Sequence, residues 1–162
     1  LKKSGAGKIL VAEVSKGRKK LAKDLGADLV IDPREENLPA LIEKETDGLG
    51  VDVLFDTAGF PETLSSNFTL VKKGGEIMIV GITEEPTPSD FFTVVLNELT
   101  IRGSYMGFHE YPLAIEMLSK GMISTRKIIT SVIELDDISE KGFKPLMKPI
   151  RECKVVVKVG GG

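Results

Sequence analysis

Thiol and imidazole are scarce in this chain. A single cysteine, Cys153, has no partner for an internal disulfide. A single histidine, His109, leaves almost nothing from which to assemble a zinc site, which takes about three or four Cys, His or carboxylate donors. No apolar run approaches the ~18 residues of a membrane-spanning helix, and no secretory leader is visible, so a soluble, cytoplasmic protein is expected. Charge of one sign is also missing. Lys and Arg number 22 against 24 Asp and Glu, a net charge of −2, which offers no basic face to nucleic acid. With 162 residues, 41% of them hydrophobic, there is material for one domain or slightly more around a real core.

The stretch SGAGK, Ser4 to Lys8, has the look of a phosphate-binding loop. Such a loop leaves a strand, turns through glycines and enters a helix whose amides face the anion. Here the glycines precede the apolar run Ile9-Leu10-Val11-Ala12. The order therefore reads as a helix end with Gly5 as its cap, followed by a strand.

Beyond it, short apolar runs alternate with amphipathic ones. Strands are expected over 8–13, 28–31, 51–55, 76–80 and 99–104. Helices are expected over 15–25, N-capped by Ser15, over 38–46, and over 61–71, closed by Gly74-Gly75. Residues 76–80, with Ile77-Met78-Ile79-Val80, read as a strand buried on both faces, and 86–96 as irregular or a short helix. This β-α-β alternation predicts an α/β fold with a doubly wound parallel sheet. From Glu110 the pattern changes to a helix over 111–119, a strand over 128–134, a mostly helical 136–148 and a strand over 154–159. Gly160 to Gly162 read as a tail.

In such a sheet the carboxyl ends of the strands form the ligand crevice. Glu13 ends the first strand. An ionised carboxylate there can accept both hydroxyls of an adenosine ribose and would repel a 2′-phosphate, which favours NAD over NADP. Thr57-Ala58-Gly59 and Gly81-Ile82-Thr83 follow two further strands and supply small residues for close backbone approach. Each of these features also has a local explanation, as a solvated strand end or a turn.

Together the stretches KILVAEVSKGRKKLAKDLGADLVID, GVDVLFDTAG, KKGGEIMIVG and LTIRGSYMG resemble the zinc-containing medium-chain alcohol dehydrogenases, nearest to their polyol (sorbitol-type) and threonine branch. The resemblance covers nearly all of 1–159. It implies that Glu13 holds the adenosine ribose with Arg18 beside it at the adenine end. Thr57, Ala58 and Gly59 would line the adenosine and pyrophosphate side. Val80, Gly81 and Ile82 would face the nicotinamide ribose. Ser104 and Met106 would reach the carboxamide through their backbone, and Lys154 would approach the pyrophosphate. Lys16, Lys19 and Lys20 read as a solvated helix face, although Arg18 and Lys19 could alternatively receive a 2′-phosphate.

Against the family pattern, the first strand, the Gly-rich phosphate loop and the zinc-bearing catalytic domain lie outside the sequence. The expected fold is thus a partial Rossmann-type sheet over 1–107, followed by a segment over 108–159 that belongs with the catalytic domain. Lacking strand one, strands 8–13 and 51–55 would each show an unpaired edge, so the chain is expected to be part of a larger protein unless another segment fills the gap. Phe108-His109-Glu110 copies part of the family's G-H-E zinc motif, but past the last sheet strand and with no cysteine nearby. No catalytic or metal-binding residue is assigned to this chain, and Cys153 reads as a buried or rim residue. Strand 99–104 matches the edge through which relatives dimerise, so a homodimer is expected. The resemblance implies hydride transfer between a secondary alcohol and NAD, with zinc in the parent protein and an inactive fragment on its own. Alternatives are a non-catalytic dimerisation module, or an NADP-dependent, zinc-free quinone or enoyl reductase of the same superfamily.

Overall fold

The computed structural model describes residues 1–107, 110–147 and 153–160. In chain order it runs β1 (Leu10–Ala12), α1 (Lys16–Asp24), β2 (Leu29–Ile31), α2 (Leu38–Glu45), β3 (Val51–Asp56), α3 (Pro61–Ser66), β4 (Val71–Ile79), α4 (Phe91–Leu96) and β5 (Thr100–Gly103). It continues with α5 (Glu110–Ser119), β6 (Ile129–Glu134), α6 (Lys144–Leu146) and β7 (Lys154–Lys158). Every strand pair is parallel. The opening SGAGK stretch follows a short 3-10 turn over Lys2–Ser4, and Gly5 caps it in the left-handed region at φ 86°.

The chain divides into two compact units, Leu1–Glu36 with His109–Gly162, and Asn37–Phe108. In the first, β1 pairs with β2 from Leu10↔Leu29 to Ala12↔Ile31, and β6 pairs with β7. Its buried apolar side chains among the described residues are Ile31 and Ile133, accompanied by the buried polar Ser15 and Asp32. Between β6 and β7 the expected helical stretch is present, as a 3-10 turn, a π-helical segment over Ile138–Phe143 and α6.

The second unit is a three-stranded sheet in the order β3-β4-β5. Phe68, Val71, Ile77 and Leu99 form its core, with Val51, Leu54, Ile79 and Val94 packed against them. Full burial of side chains of this size contributes about 1.5–3 kcal/mol each. Helix α2 begins where Asn37 accepts a hydrogen bond from the Ala40 amide at 3.1 Å.

Three expectations change here. The helix expected to run to Val71 ends at Ser66 and tightens into a 3-10 turn over Asn67–Thr69. Val71 is then drawn into the sheet opposite Val51. Gly74-Gly75 therefore sit inside β4, where the register jumps from Val51↔Val71 to Val53↔Glu76, and Gly74 takes φ 71°. The strand read as buried on both faces buries Ile77 but leaves Val80 41% exposed. Ser15 is the N-cap residue of α1 without a side-chain capping bond; its own amide donates to Glu13 Oε1. β1 and β3 lie in separate sheets.

Candidate cofactor site

In the second unit the loops after β3 and β4 are fastened to each other through backbone. Asp56, the last residue of β3, is 5% exposed. Its Oδ1 accepts from the Ala58 amide at 3.1 Å and the Gly59 amide at 2.8 Å, and its Oδ2 accepts from Asn67 Nδ2 at 2.8 Å. Its carbonyl accepts from the Val80 and Gly81 amides at 2.8 and 2.9 Å. A buried carboxylate without a cation is tolerable because these donors satisfy it.

Gly59 adopts φ +69°, and a Cβ there would stand 2.7 Å from the Ile82 carbonyl oxygen. A Cβ on Gly81 would overlap the Gly59 backbone nitrogen and lie 2.6 Å from its Cα. Both positions thus require glycine. An open depression of about 400 Å³ adjoins them, lined by Ala58, Gly59, Ile82 and Glu62 among others. Thr57, Ala58 and Ile82 are exposed. Ser104, just past β5, donates its amide to the Ile79 carbonyl at 2.9 Å. Met106 is 73% exposed at φ +54°, a left-handed backbone that is uncommon for a side chain of this size. The structure brings Thr57, Ala58, Gly59, Val80, Gly81 and Ile82 together at the carboxyl ends of adjacent parallel strands.

In the first unit, Glu13 follows β1 and continues its ladder, its amide donating to the Ile31 carbonyl at 3.0 Å. Arg18 grips the carboxylate in a fork, Nε to Oε2 at 2.8 Å and Nη2 to Oε1 at 3.0 Å. Oε1 also accepts from the Ser15 amide at 2.7 Å. Burial pushes this carboxyl up, but the Arg18 bond, the Ser15 bond and the Arg18 charge outweigh it, so Glu13 lies below its ordinary value and is ionised at neutral pH. Among the described residues Oε2 accepts from Arg18 alone, which leaves it acceptor capacity. His109 lies outside the described residues. Lys154 opens β7 with an exposed side chain.

One sequence-based reading is overturned. Lys19 is not a solvated residue: its Nζ lies 2.6 Å from Asp32 Oδ2, and its side chain is 26% exposed. Asp32, 2% exposed, also accepts from Arg34, at 3.1 Å from the backbone amide and 3.3 Å from both Nε and Nη2. Bonds from Arg34 and then Lys19 hold the Asp32 carboxyl well below the usual carboxylate range, against the opposing effect of burial.

Sequence reasoning missed Asp32 and Asp56 as organisers. Each is an aspartate closing an apolar strand just before a turn. Its oxygen there can accept amides two residues on, and that signal was present in IDP and DTAG.

Parallel strands joined through helices, with glycine-tight turns at their carboxyl ends, define the doubly wound α/β class. A family model described as zinc-binding dehydrogenase matches residues 1–120. The chain belongs to that family, the zinc-type medium-chain alcohol dehydrogenases, a family of oxidoreductases. It is 33% identical to (R,R)-butanediol dehydrogenase of Bacillus subtilis over 98% of this chain and 45% of that protein. The crystal structure of the B. subtilis enzyme superposes with a TM-score of 0.90, at 32% identity over 99% of this chain and 46% of that one. L-threonine 3-dehydrogenase of Caldanaerobacter subterraneus is 36% identical over 97% of this chain and 46% of that protein. A short chain alcohol dehydrogenase from E. coli CFT073, complexed with cofactor NADH, superposes at 0.83 with 25% identity over 94% of this chain and 45% of that one. The chain thus spans about half the length of the relatives it matches.

Among the described residues, no three His, Cys, Asp or Glu side chains group as a metal site. No helix of the described residues is long and apolar enough to cross a membrane.

Proposed function

We propose that this chain is the cofactor-holding part of an alcohol or polyol dehydrogenase that transfers a hydride between a secondary alcohol and NAD. Residues 1–107 belong to its nucleotide domain and 108–159 to the segment that returns to its catalytic domain. The observation that carries this reading is Glu13, an ionised carboxylate with acceptor capacity left on Oε2 at the end of a parallel strand.

The nicotinamide cofactor supplies the hydride chemistry when bound. The residues of this chain bind and orient it. Glu13 accepts the adenosine ribose hydroxyls, with Arg18 fixing the carboxylate. The Thr57-Ala58-Gly59 and Val80-Gly81-Ile82 turns meet through Gly59 and Gly81 with no side chain between these two, and the Ala58 and Gly59 amides are already committed to Asp56. Ser104 and Met106 offer backbone groups to the carboxamide, and Lys154 offers a positive charge to the pyrophosphate. This chain alone carries no turnover.

Assembly follows from β5. It is paired only with β4 among the described strands, its residues are exposed, and Arg102 Nε lies 3.0 Å from Glu76 Oε1 beside it. A second copy pairing along that edge makes a homodimer of a cytoplasmic enzyme.

The test is NADH binding to the full-length protein, read by nicotinamide fluorescence, with Glu13→Ala alongside. Binding that weakens about tenfold in the variant supports the reading; binding that ignores the substitution removes Glu13 from the site. Light scattering on the same sample reports the dimer, and a monomeric mass argues against the β5 edge.

A further inference from the structure

Cations crowd the neighbourhood of Glu13, which would suit a dinucleotide carrying a 2′-phosphate. Arg18 is forked onto Glu13 itself. Lys19 is the next residue of the same helix. Arg34 Nη2 donates to the carbonyl of Val14, the residue after Glu13, at 2.6 Å. Yet both Lys19 and Arg34 converge on one carboxylate, that of Asp32, whose side chain is 3% exposed. The Asp32 amide in turn donates to Glu36 Oε2 at 2.9 Å, which adds a second acid to the group.

We propose that Asp32 is a specificity-determining residue: by holding Lys19 and Arg34 on its buried carboxylate, it withholds both cations from a 2′-phosphate and so biases the Glu13 site toward NAD(H). The inference rests on the reading of Glu13 as the ribose acceptor. Its physical basis is the cost of removing one cationic partner from a buried carboxylate, whose partners Lys19 and Arg34 reach it from more exposed positions. A phosphate that drew Lys19 or Arg34 away would leave Asp32 buried with a partner missing, and that penalty opposes binding. NAD(H) makes no such demand. Discrimination then has two parts, repulsion by Glu13 and withdrawal of the cations by Asp32.

Equilibrium binding of NADH and of NADPH to the full-length protein tests this. Asp32→Asn keeps the shape, removes the charge and releases both cations. NADPH is expected to bind about tenfold tighter, with NADH nearly unchanged and the gain shrinking at high salt. Adding Arg34→Met to Asp32→Asn should reverse much of the gain. Asp24→Asn makes the same charge change on α1, where Asp24 pairs with Lys20 at 2.5 Å, and should leave the NADH/NADPH ratio where it was. Equal shifts for both dinucleotides, or an equal gain from Asp24→Asn, would overturn the proposal.

If Asp32→Asn does not fold, Lys19→Met and Arg34→Met in the otherwise unchanged protein decide. Withheld cations predict NADPH affinity within about twofold of wild type, whereas a fivefold or greater loss shows that they already serve the phosphate and overturns the proposal. A wild-type protein that binds neither dinucleotide fails the Glu13 reading and takes this inference with it. One that binds NADH, with a ratio that Asp32→Asn does not move, fails this inference alone.

Discussion

The two units hold their strand ends by opposite means. In Asn37–Phe108 the turns after β3 and β4 are locked by backbone, with glycine against glycine and a buried aspartate satisfied by neutral donors. In the unit that contains Leu1–Glu36, the ends of β1 and β2 are held by charged side chains: Arg18 on Glu13 after β1, and Lys19 and Arg34 on Asp32 after β2. The apolar cores differ in the same sense, with Phe68, Val71, Ile77 and Leu99 clustered in one unit and only Ile31 and Ile133 buried among the described residues of the other. The contact of glycine against glycine is indifferent to ionic strength and to carboxylate titration, whereas electrostatic holding responds to both. One fold can therefore carry a stiff edge and an adjustable one.

The largest effect should come from breaking the steric lock. Gly81→Ala forces a Cβ onto the Gly59 backbone, and overpacking against backbone costs on the order of 3 kcal/mol or more. Denaturant unfolding should report this loss equally at low and high salt, and a strongly salt-dependent loss would undo the contrast between the units. Asp56→Ala comes next. It strands the Ala58, Gly59 and Asn67 donors, and at about 1–3 kcal/mol for an unsatisfied buried group the variant should lose about 3 kcal/mol in the same measurement.

The electrostatic edge is sharpened by pH. Asp32 titrates below its ordinary 3.8, so its contribution is fully present above that value and is lost as pH falls through the lower folded-state value. Thermal unfolding of wild type and Asp32→Asn should therefore differ most above about pH 5 and converge as acid is added. Curves that stay parallel would show that Asp32 does not stabilise this unit through its charge.

Two smaller changes calibrate the scale. Asn37→Ala, which removes the cap of α2, should cost about 1 kcal/mol. Lys120→Ala, which breaks an exposed pair with Glu116 one helical turn away, should cost under about 0.5 kcal/mol and vanish in salt.

Most strands could be read from the sequence, because each is a short apolar run punctuated by Gly, Pro or Asp. β1, β2, β3 and β5 lie within the expected windows to within a residue or two. β4 could not be read correctly. Local pattern makes Gly74-Gly75 a helix stop, and only the pairing of Val71 with Val51 across the sheet reveals a bulged strand. The candidate site could be proposed as positions but not as chemistry. Glu13 and the glycine turns stand out by their place after strands. That Lys19 turns inward to Asp32 depends on where β2 lies beside α1, which periodicity along one helix cannot report.

The Gly59–Gly81 contact also has a mechanical consequence. Two turns from distant parts of the chain touch without side chains between them, so there is no flexible padding to absorb a displacement. A shift of a fraction of an ångström in one turn must be passed to the other or resisted by both. Whatever settles against the β3 turn is therefore felt at the β4 turn, and the pair behaves as one stiff jaw rather than two independent fingers.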